Sequence, residues 1–481
     1  MKKQNHVSEK GKRRRKKNER KAIILAVLVV ISVIALVVTL AAFVFKADFF
    51  VDKNREEQKN RQENDAQPEI EVTVEDATNQ SDHGGGLDDT DLGRTDGSNP
   101  DQPDRSAVQK DENVQVLQDV TMIFAGDICF YDAYANMTAL RARGGKIESC
   151  IDEKLLAEMK AADICMVNNE FAYSDRGAPL ADKAFTFCSK PSNVSLLHDM
   201  GVDLVSLANN HVYDYGPDAL LDTLDTLKNA DIPYVGAGRD LSEASAVYYF
   251  EKNGRRIAFV SATQVERNEH PDTKGATDTT PGTFRCYTKD EFERLAAVIR
   301  EADAQADLTV VYVHWGTENT DELHWAQIEQ APKIVEAGAD LIIGDHPHCL
   351  QNVEYLNGVP VIYSLGNFWF NSKTLDTCLF KVIYRTDGKL DCRLIPAKQH
   401  DCRTDMENGS EKQRILDYMQ CISPNVTFDQ DGNITNTPYT GPKIDYDAVE
   451  RVPDPPAAAT PLPAADPAGP VPDDIAPAPM Q

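Results

Sequence analysis

The sequence predicts an α/β fold, a mixed sheet system with antiparallel additions, behind one N-terminal transmembrane helix. Three observations predict it. Short apolar runs alternate with amphipathic segments between residues 119 and 440. Asn253-Gly254 and Asn357-Gly358 each separate two apolar runs, as tight hairpin turns do. Ala22 to Phe45 is a run of 24 residues with no charge, Pro or Gly.

That apolar run would reach about 36 Å as a helix, against roughly 30 Å of hydrocarbon core. Residues 1–21 hold eleven Lys/Arg against Glu9 and Glu19. The positive-inside rule keeps this basic segment cytoplasmic and puts the chain after Lys46 outside the cell, anchored by a single pass. The rival reading is a cleaved signal peptide, but its apolar core would be shorter, and Phe43-Val44-Phe45 is a poor cleavage site.

Residues 46–118 read as a disordered acidic linker, interrupted by His83-Gly84-Gly85-Gly86 and Asp96-Gly97-Ser98-Asn99-Pro100. Residues 441–481 read as a disordered Pro/Ala-rich tail, with ten Pro after Val452. Outside the first 21 residues the net charge is −36, which excludes a general nucleic-acid binder.

Within the folded part, Val120–Phe124 reads as a strand and Glu148–Lys160 as a helix. Strands follow at Asp163–Val167 and Asp203–Leu207, then a helix at Pro217–Ala230. Leu308–His314 is a strand, Leu323–Ala337 a helix and Leu341–Ile343 a strand. This alternation implies crossover units and buried, largely parallel strands.

Polar groups gather just after these strands. They are Gly126-Asp127-Ile128-Cys129, Asn168-Asn169-Glu170, Ala208-Asn209-Asn210-His211, His314-Trp315-Gly316, Gly344-Asp345-His346-Pro347-His348 and Ser364-Leu365-Gly366-Asn367-Phe368. In open α/β sheets ligands sit beyond the carboxyl ends of the strands, so the six clusters can converge. Carboxylates, imidazoles and a carboxamide are what one or two divalent cations such as Mn, Fe or Zn require. Two such ions can bind a substrate oxyanion and hold a hydroxide for attack. Singly, each cluster also reads as a turn, a helix cap or a core histidine.

The motif series resembles the CapA family of poly-γ-glutamate capsule synthesis proteins and, more distantly, calcineurin-like metallophosphoesterases. The match spans residues 119–375, with 376–440 as a C-terminal extension of the domain. The resemblance implies a four-layer αββα sandwich with metals at its strand ends. It implies Asp127 as the first-metal carboxylate, Glu170 as the bridging carboxylate and Asn210 as the second-metal carboxamide ligand. His314 and His346 match second-metal ligands, His348 a first-metal ligand, and His211 the catalytic histidine that protonates a leaving oxygen.

Two positions depart from the phosphoesterase pattern. Cys129 stands where the first motif carries His, either as a thiolate ligand or as a buried thiol. The bridging position is Glu170 rather than Asp, so the first-metal site is the incomplete one. Asn209, Asp345 and Asn367 read as supporting groups or turn residues, and Trp315 and Phe368 as packing. His324 is expected to face solvent, and His270 lies in a loop. Cys378, Cys392, Cys402 and Cys421 could pair outside the cell.

The resemblance and the anchor together imply an extracytoplasmic protein of poly-γ-glutamate capsule biosynthesis or export. Its partners would be the membrane and the polymer or its synthesis complex, and its site would be hydrolase-like. A surface metallophosphoesterase acting on an envelope or small-molecule phosphoester is the second expectation. A non-catalytic capsule-assembly scaffold is the third.

Overall fold

The central strand is β1, Val120–Ile128, buried along nearly its whole length. It belongs to a computed structural model that describes residues 117–450 apart from 182 and 266–273. The Ala22–Phe45 run, the basic segment before it, nearly all of the linker, the Pro-rich end from residue 451 and His270 lie outside the described residues. Among the described residues no helix is long and apolar enough to cross a membrane.

After β1 come α1 (Glu153–Ala161), β2 (Ile164–Asn169), β3 (Leu204–Ser206), α2 (Gly216–Asn229) and β4 (Tyr234–Val235). The hairpin β5 (Tyr248–Lys252) and β6 (Arg255–Thr263) follows, then α3 (Lys289–Asp303), β7 (Leu308–His314), α4 (Trp325–Glu336) and β8 (Leu341–Asp345). The chain continues through β9 (Val353–Leu356), β10 (Val359–Ile362), β11 (Asn367–Trp369), β12 (Leu375–Tyr384), β13 (Leu390–His400) and β14 (Arg403–Met406). It closes with α5 (Gly409–Ile422), β15 (Thr427–Phe428) and β16 (Asn433–Thr435).

Among the described residues, ten strands make the first sheet, in the order β15-β16-β13-β12-β1-β2-β3-β4, with β11 on β1 and β14 on β13. Six make the second, in the order β9-β10-β8-β7-β6-β5. β1, β2, β3 and β4 run parallel, as do β6, β7, β8 and β10, so the predicted crossover units are present. Both predicted hairpins form antiparallel pairs. Their turns need positive φ at both central positions, and Asn253-Gly254 and Asn357-Gly358 supply it.

Period-two alternation sorts the side chains into layers. Val120, Met122 and Phe124 of β1 share one apolar cluster with Ile257 and Phe259 of β6 and with Val310 and Tyr312 of β7. That cluster fills the space between the sheets. Ile123 and Ala125 pack instead with Leu155 of α1 and Leu220 of α2. Val311 and Val313 of β7 pack with Leu295 of α3 and Ile334 of α4. The layers therefore run helices, sheet, sheet, helices. Each fully buried Leu, Ile or Phe contributes about 1.5–3 kcal/mol.

Differences from the sequence reading have local causes. The expected helix over 148–160 is a 3-10 turn at Ile147–Ser149 followed by α1. Ile151 bridges to Thr404, which interrupts a continuous helix, and the Asp152 carboxylate then caps α1 by accepting from the Lys154 amide. Residues after 375 add strands to the same first sheet, β12 pairing directly with β1. All ten cysteines are free thiols, including the four considered for pairing.

Gly126 fixes how β1 ends. Ala125 pairs with Val167 and Asp127 with Asn168, so Gly126 is an extra residue opposite β2. A Cβ on Gly126 would lie 1.9 Å from the Gly366 carbonyl oxygen. Backbone cannot yield there cheaply, and the contact sits where β11 docks on β1. Gly126→Ala is expected to destabilise the fold by about 3 kcal/mol. Thermal unfolding of the variant checks this, and a melting temperature equal to that of the parent would refute the close approach.

Candidate metal centre

Four strands bring the site together at the rim of the inter-sheet core. Leu308, Val310 and Tyr312 face that core, so His314 two residues on faces it too. Leu341 and Ile343 direct Asp345 the same way. Met166 does this for Asn168 on β2. On β1, unbroken alternation would put Asp127 with Ile123 and Ala125 on the helix side. The bulge at Gly126 turns it to the inter-sheet side, in register with Asn168.

His346 and His348 both hold positive φ, 95° and 58°, with Pro347 between them. Such backbone is costly for non-glycine residues, about 1–3 kcal/mol each, and here it brings both imidazoles to the same site, one to each of two adjoining groups. The turn expected at Pro347 is therefore present.

The distances define two adjoining groups. The Nε2 of His314 lies 2.8 Å from the Oδ1 of Asn210, 3.1 Å from the Nδ1 of His346 and 3.6 Å from the Oε1 of Glu170. The Nδ1 of His348 lies 3.1 Å from the Oδ2 of Asp127 and 2.9 Å from the Oδ1 of Asn367. Glu170 belongs to both groups: its ligand atom lies within 4.8 Å of those of His314 and His346, and likewise of those of Asp127 and His348. A third such group joins Asp127, His314 and Asp345.

The groups fit a cation by their unmet needs. Among the described residues, neither buried oxygen of Glu170 has a hydrogen-bond partner. An unpaired buried carboxylate is costly unless it is protonated or coordinated. Burial, then the charges of Asp127 and Asp345, push the Glu170 pKa well above its usual value. Burial and the Asp127 charge raise Asp345 as well. Burial lowers His314 to about 3 and takes His346 well below the ordinary histidine value, so both rings are neutral and can offer lone pairs. Burial alone would raise Asp127, but the hydrogen bond and charge of His348 hold it below its ordinary value.

A cation bound here would compete with protons at Glu170 and at His348, whose pKa Asp127 raises against the effect of burial. A carboxyl with a raised pKa stays protonated to higher pH, so protons compete with the cation as pH falls. Affinity for Mn2+ is expected to rise with pH, up to about tenfold per pH unit for each proton displaced. Calorimetric titration in two buffers of different ionisation heat measures the proton release. An affinity independent of pH between about 5 and 7 would contradict this account.

His211 stands beside these groups, its Nε2 3.8 Å from the Oε1 of Glu170. Its Nδ1 lies 2.7 Å from the Oδ2 of Asp214, which assigns the proton there to Nδ1. Asp214 is fully buried, accepts from the Phe187 amide and pairs with Lys183 at 2.7 Å. Lys183 also donates to the Asn210 carbonyl, and Phe187 packs on the His211 ring with centroids 4.3 Å apart. Burial lowers the His211 pKa, while Asp214 acts against it. In its charged form, which the Asp214 carboxylate stabilises, an imidazole held this way can pass the Nε2 proton to a reacting oxygen.

All seven sequence-derived site residues, Asp127, Glu170, Asn210, His211, His314, His346 and His348, are thus close together. Asn209 supports them through Asn168, whose amide donates to Asp127. Asp345 orients His314 through its Nδ1 at 2.8 Å. Cys129 is buried among apolar side chains and joins none of the three ligand groups. Sequence reasoning missed Asp214 and Lys183. The spacing His211-Val-Tyr-Asp214 was a usable signal; Lys183, in a loop 27 residues before Asn210, left none.

A cavity of about 400 Å³ opens onto Asn210 and His346. Tyr287, Glu318, His324 and Trp325 are among its walls. His324 departs from expectation. Its ring is partly buried, caps α4 by accepting from the Ala326 amide, and lines this cavity instead of facing open solvent.

Comparison with known proteins agrees with the motif series. The chain is 32% identical over 241 residues to the PGA biosynthesis protein CapA of Bacillus subtilis (strain 168), covering 49% of this chain and 61% of that one. It is 33% identical over 240 residues to the capsule biosynthesis protein CapA of Bacillus anthracis, covering 49% and 57%. A probable polyglutamine synthesis accessory protein of Mycobacterium tuberculosis (strain CDC 1551 / Oshkosh) is 27% identical over 213 residues, covering 44% and 56%. The chain thus spans less than two thirds of the length of each of these relatives. The profile of the bacterial capsule synthesis protein PGA_cap matches residues 121–372, more than half of the chain, and the chain belongs to that family.

Proposed function

We propose that this is a membrane-anchored, extracytoplasmic protein of poly-γ-glutamate capsule assembly or export with a metal-dependent, hydrolase-like site. One observation carries the reading: a buried carboxylate without a hydrogen-bond partner among the described residues, Glu170, is shared by two sets of ligands, beside a histidine backed by a carboxylate. The layer order, with polar groups at the strand ends, is what a calcineurin-like metallophosphoesterase would have, which supports the hydrolase part. The names of the Bacillus relatives support the capsule part.

In this reading Glu170, Asn210, His314 and His346 would hold one divalent ion and Asp127, Glu170 and His348 the other. Bound ions would supply Lewis acidity and make water a usable nucleophile near neutral pH. The chain's own groups do the rest. Asp345 holds the His314 ring in place, Asp214 holds His211 with Nε2 facing the site, and His211 passes a proton to the leaving oxygen. Phe187 and Phe370 pack against the His211 and His348 rings and shield that side.

The test is genetic. Deleting the gene, or replacing it with the His211→Ala or His346→Ala allele, is expected to abolish surface poly-γ-glutamate. Unchanged polymer in all three strains removes the capsule reading. The anchored topology has its own check: protease added to intact cells should cut the domain, and full protection would reverse the orientation.

The cavity favours a second reading for the chemistry itself. The Glu318 carboxylate in its wall suits a phosphoester with an uncharged leaving group better than a polyanion. Metal-stimulated hydrolysis of a neutral-leaving-group phosphodiester by the purified protein would support this reading. Inactivity across a broad ester panel would discard it.

A further inference from the structure

We infer that the carboxamide oxygen of Asn367 is a ligand of the first cation site, in the place that the Cys129 side chain does not fill. This rests on the metal-dependent reading above and deepens it. Asp127 and Asn367 are register partners on the parallel pair β1–β11, so their side chains leave the sheet on the same side. The Asp127 amide donates to the Gly366 carbonyl at 3.0 Å, which locks that register. Asn367 is buried, and its Oδ1 lies 2.9 Å from the Nδ1 of His348, the same nitrogen that Asp127 approaches. An imidazole nitrogen, a carboxylate oxygen and a carboxamide oxygen therefore converge, with the Glu170 carboxylate, which has no hydrogen-bond partner among the described residues, beside them.

The two sites then differ in chemistry. The first would offer three oxygens, from Asp127, Glu170 and Asn367, and one nitrogen, from His348. The second would offer two nitrogens, from His314 and His346, and two oxygens, from Asn210 and Glu170. Oxygen-rich sets suit harder ions such as Mn2+, and imidazole-rich sets suit Zn2+. The first site would therefore favour Zn2+ over Mn2+ less strongly than the second.

The full chain is purified, stripped with EDTA and titrated with Mn2+ and with Zn2+, with bound metal counted by elemental analysis. Wild type should take up two equivalents. Asn367→Ala should weaken one Mn2+ equivalent by at least about tenfold and leave the other alone, while His346→Ala should weaken the other. Asn367→Asp, which keeps an oxygen, should retain both. Asn367→His should raise the Zn2+ to Mn2+ preference of the first site, a change that a merely structural role would not produce. Melting in EDTA controls for folding, and if the Ala variant does not fold, the Asp and His variants carry the test. Two equivalents with unchanged affinities in Asn367→Ala, or an unshifted preference in Asn367→His, overturns the inference and leaves the metal site standing. No uptake by wild type would overturn the metal-dependent reading itself.

Discussion

Glu170→Gln is expected to weaken cation binding by at least about 100-fold while leaving the metal-free fold nearly as stable as the parent. The two halves of that result have one cause. Burial and the neighbouring charges of Asp127 and Asp345 raise the Glu170 pKa, which favours the neutral form when no cation is bound. A glutamine is close in shape and charge to that protonated form, so little is lost on folding. With ions present, the ionised carboxylate would serve both ligand groups, and a carboxamide cannot supply the charge. Calorimetric titration with Mn2+ and melting curves with and without EDTA separate the two effects. Parent-like affinity would show that Glu170 is not shared between ions. A large loss of stability in EDTA would show instead that it is ionised and structurally required.

The second large effect is on turnover. On the hydrolase reading, His211→Asn is expected to lower kcat by about 10²–10⁴-fold with metal content unchanged. His211 sits beside Glu170, yet its Nδ1 is committed to Asp214 at 2.7 Å and only Nε2 faces the site. Its removal should therefore cost proton transfer rather than ion binding. Asp214→Asn should give a smaller loss, because the ring keeps its place but loses the carboxylate that stabilises its charged form. Loss of metal in His211→Asn would make the residue a ligand, and undiminished kcat would remove it from the chemistry.

Much of the fold was legible because it depends on local periodicity. The Leu308–His314 strand is found as predicted, and the Pro217–Ala230 helix agrees to within one residue at each end. Asn253-Gly254 and Asn357-Gly358 announced their hairpins because few other dipeptides accept positive φ at both positions. The helix expected over 148–160 failed for a nonlocal reason: Ile151 is claimed by Thr404, a partner that no window of sequence contains. His324 was misplaced because it precedes α4 as its cap instead of lying inside the helix, and local sequence does not show the cavity it lines.

The sequence by itself determined the chemical types at the site and the strand ends that carry them, because side-chain chemistry and strand period are local properties. The folded structure decided which way those groups face and which of them meet. Asp127 faces the inter-sheet side only because an extra residue, Gly126, is accommodated opposite β2 and beneath Gly366. It meets His348 across 221 residues of chain, and the Asp214–Lys183 support for His211 was likewise visible only once the loops had closed. Register, bulges and loop closure are settled by the partner strand rather than by the strand itself, and for that reason they required the tertiary structure.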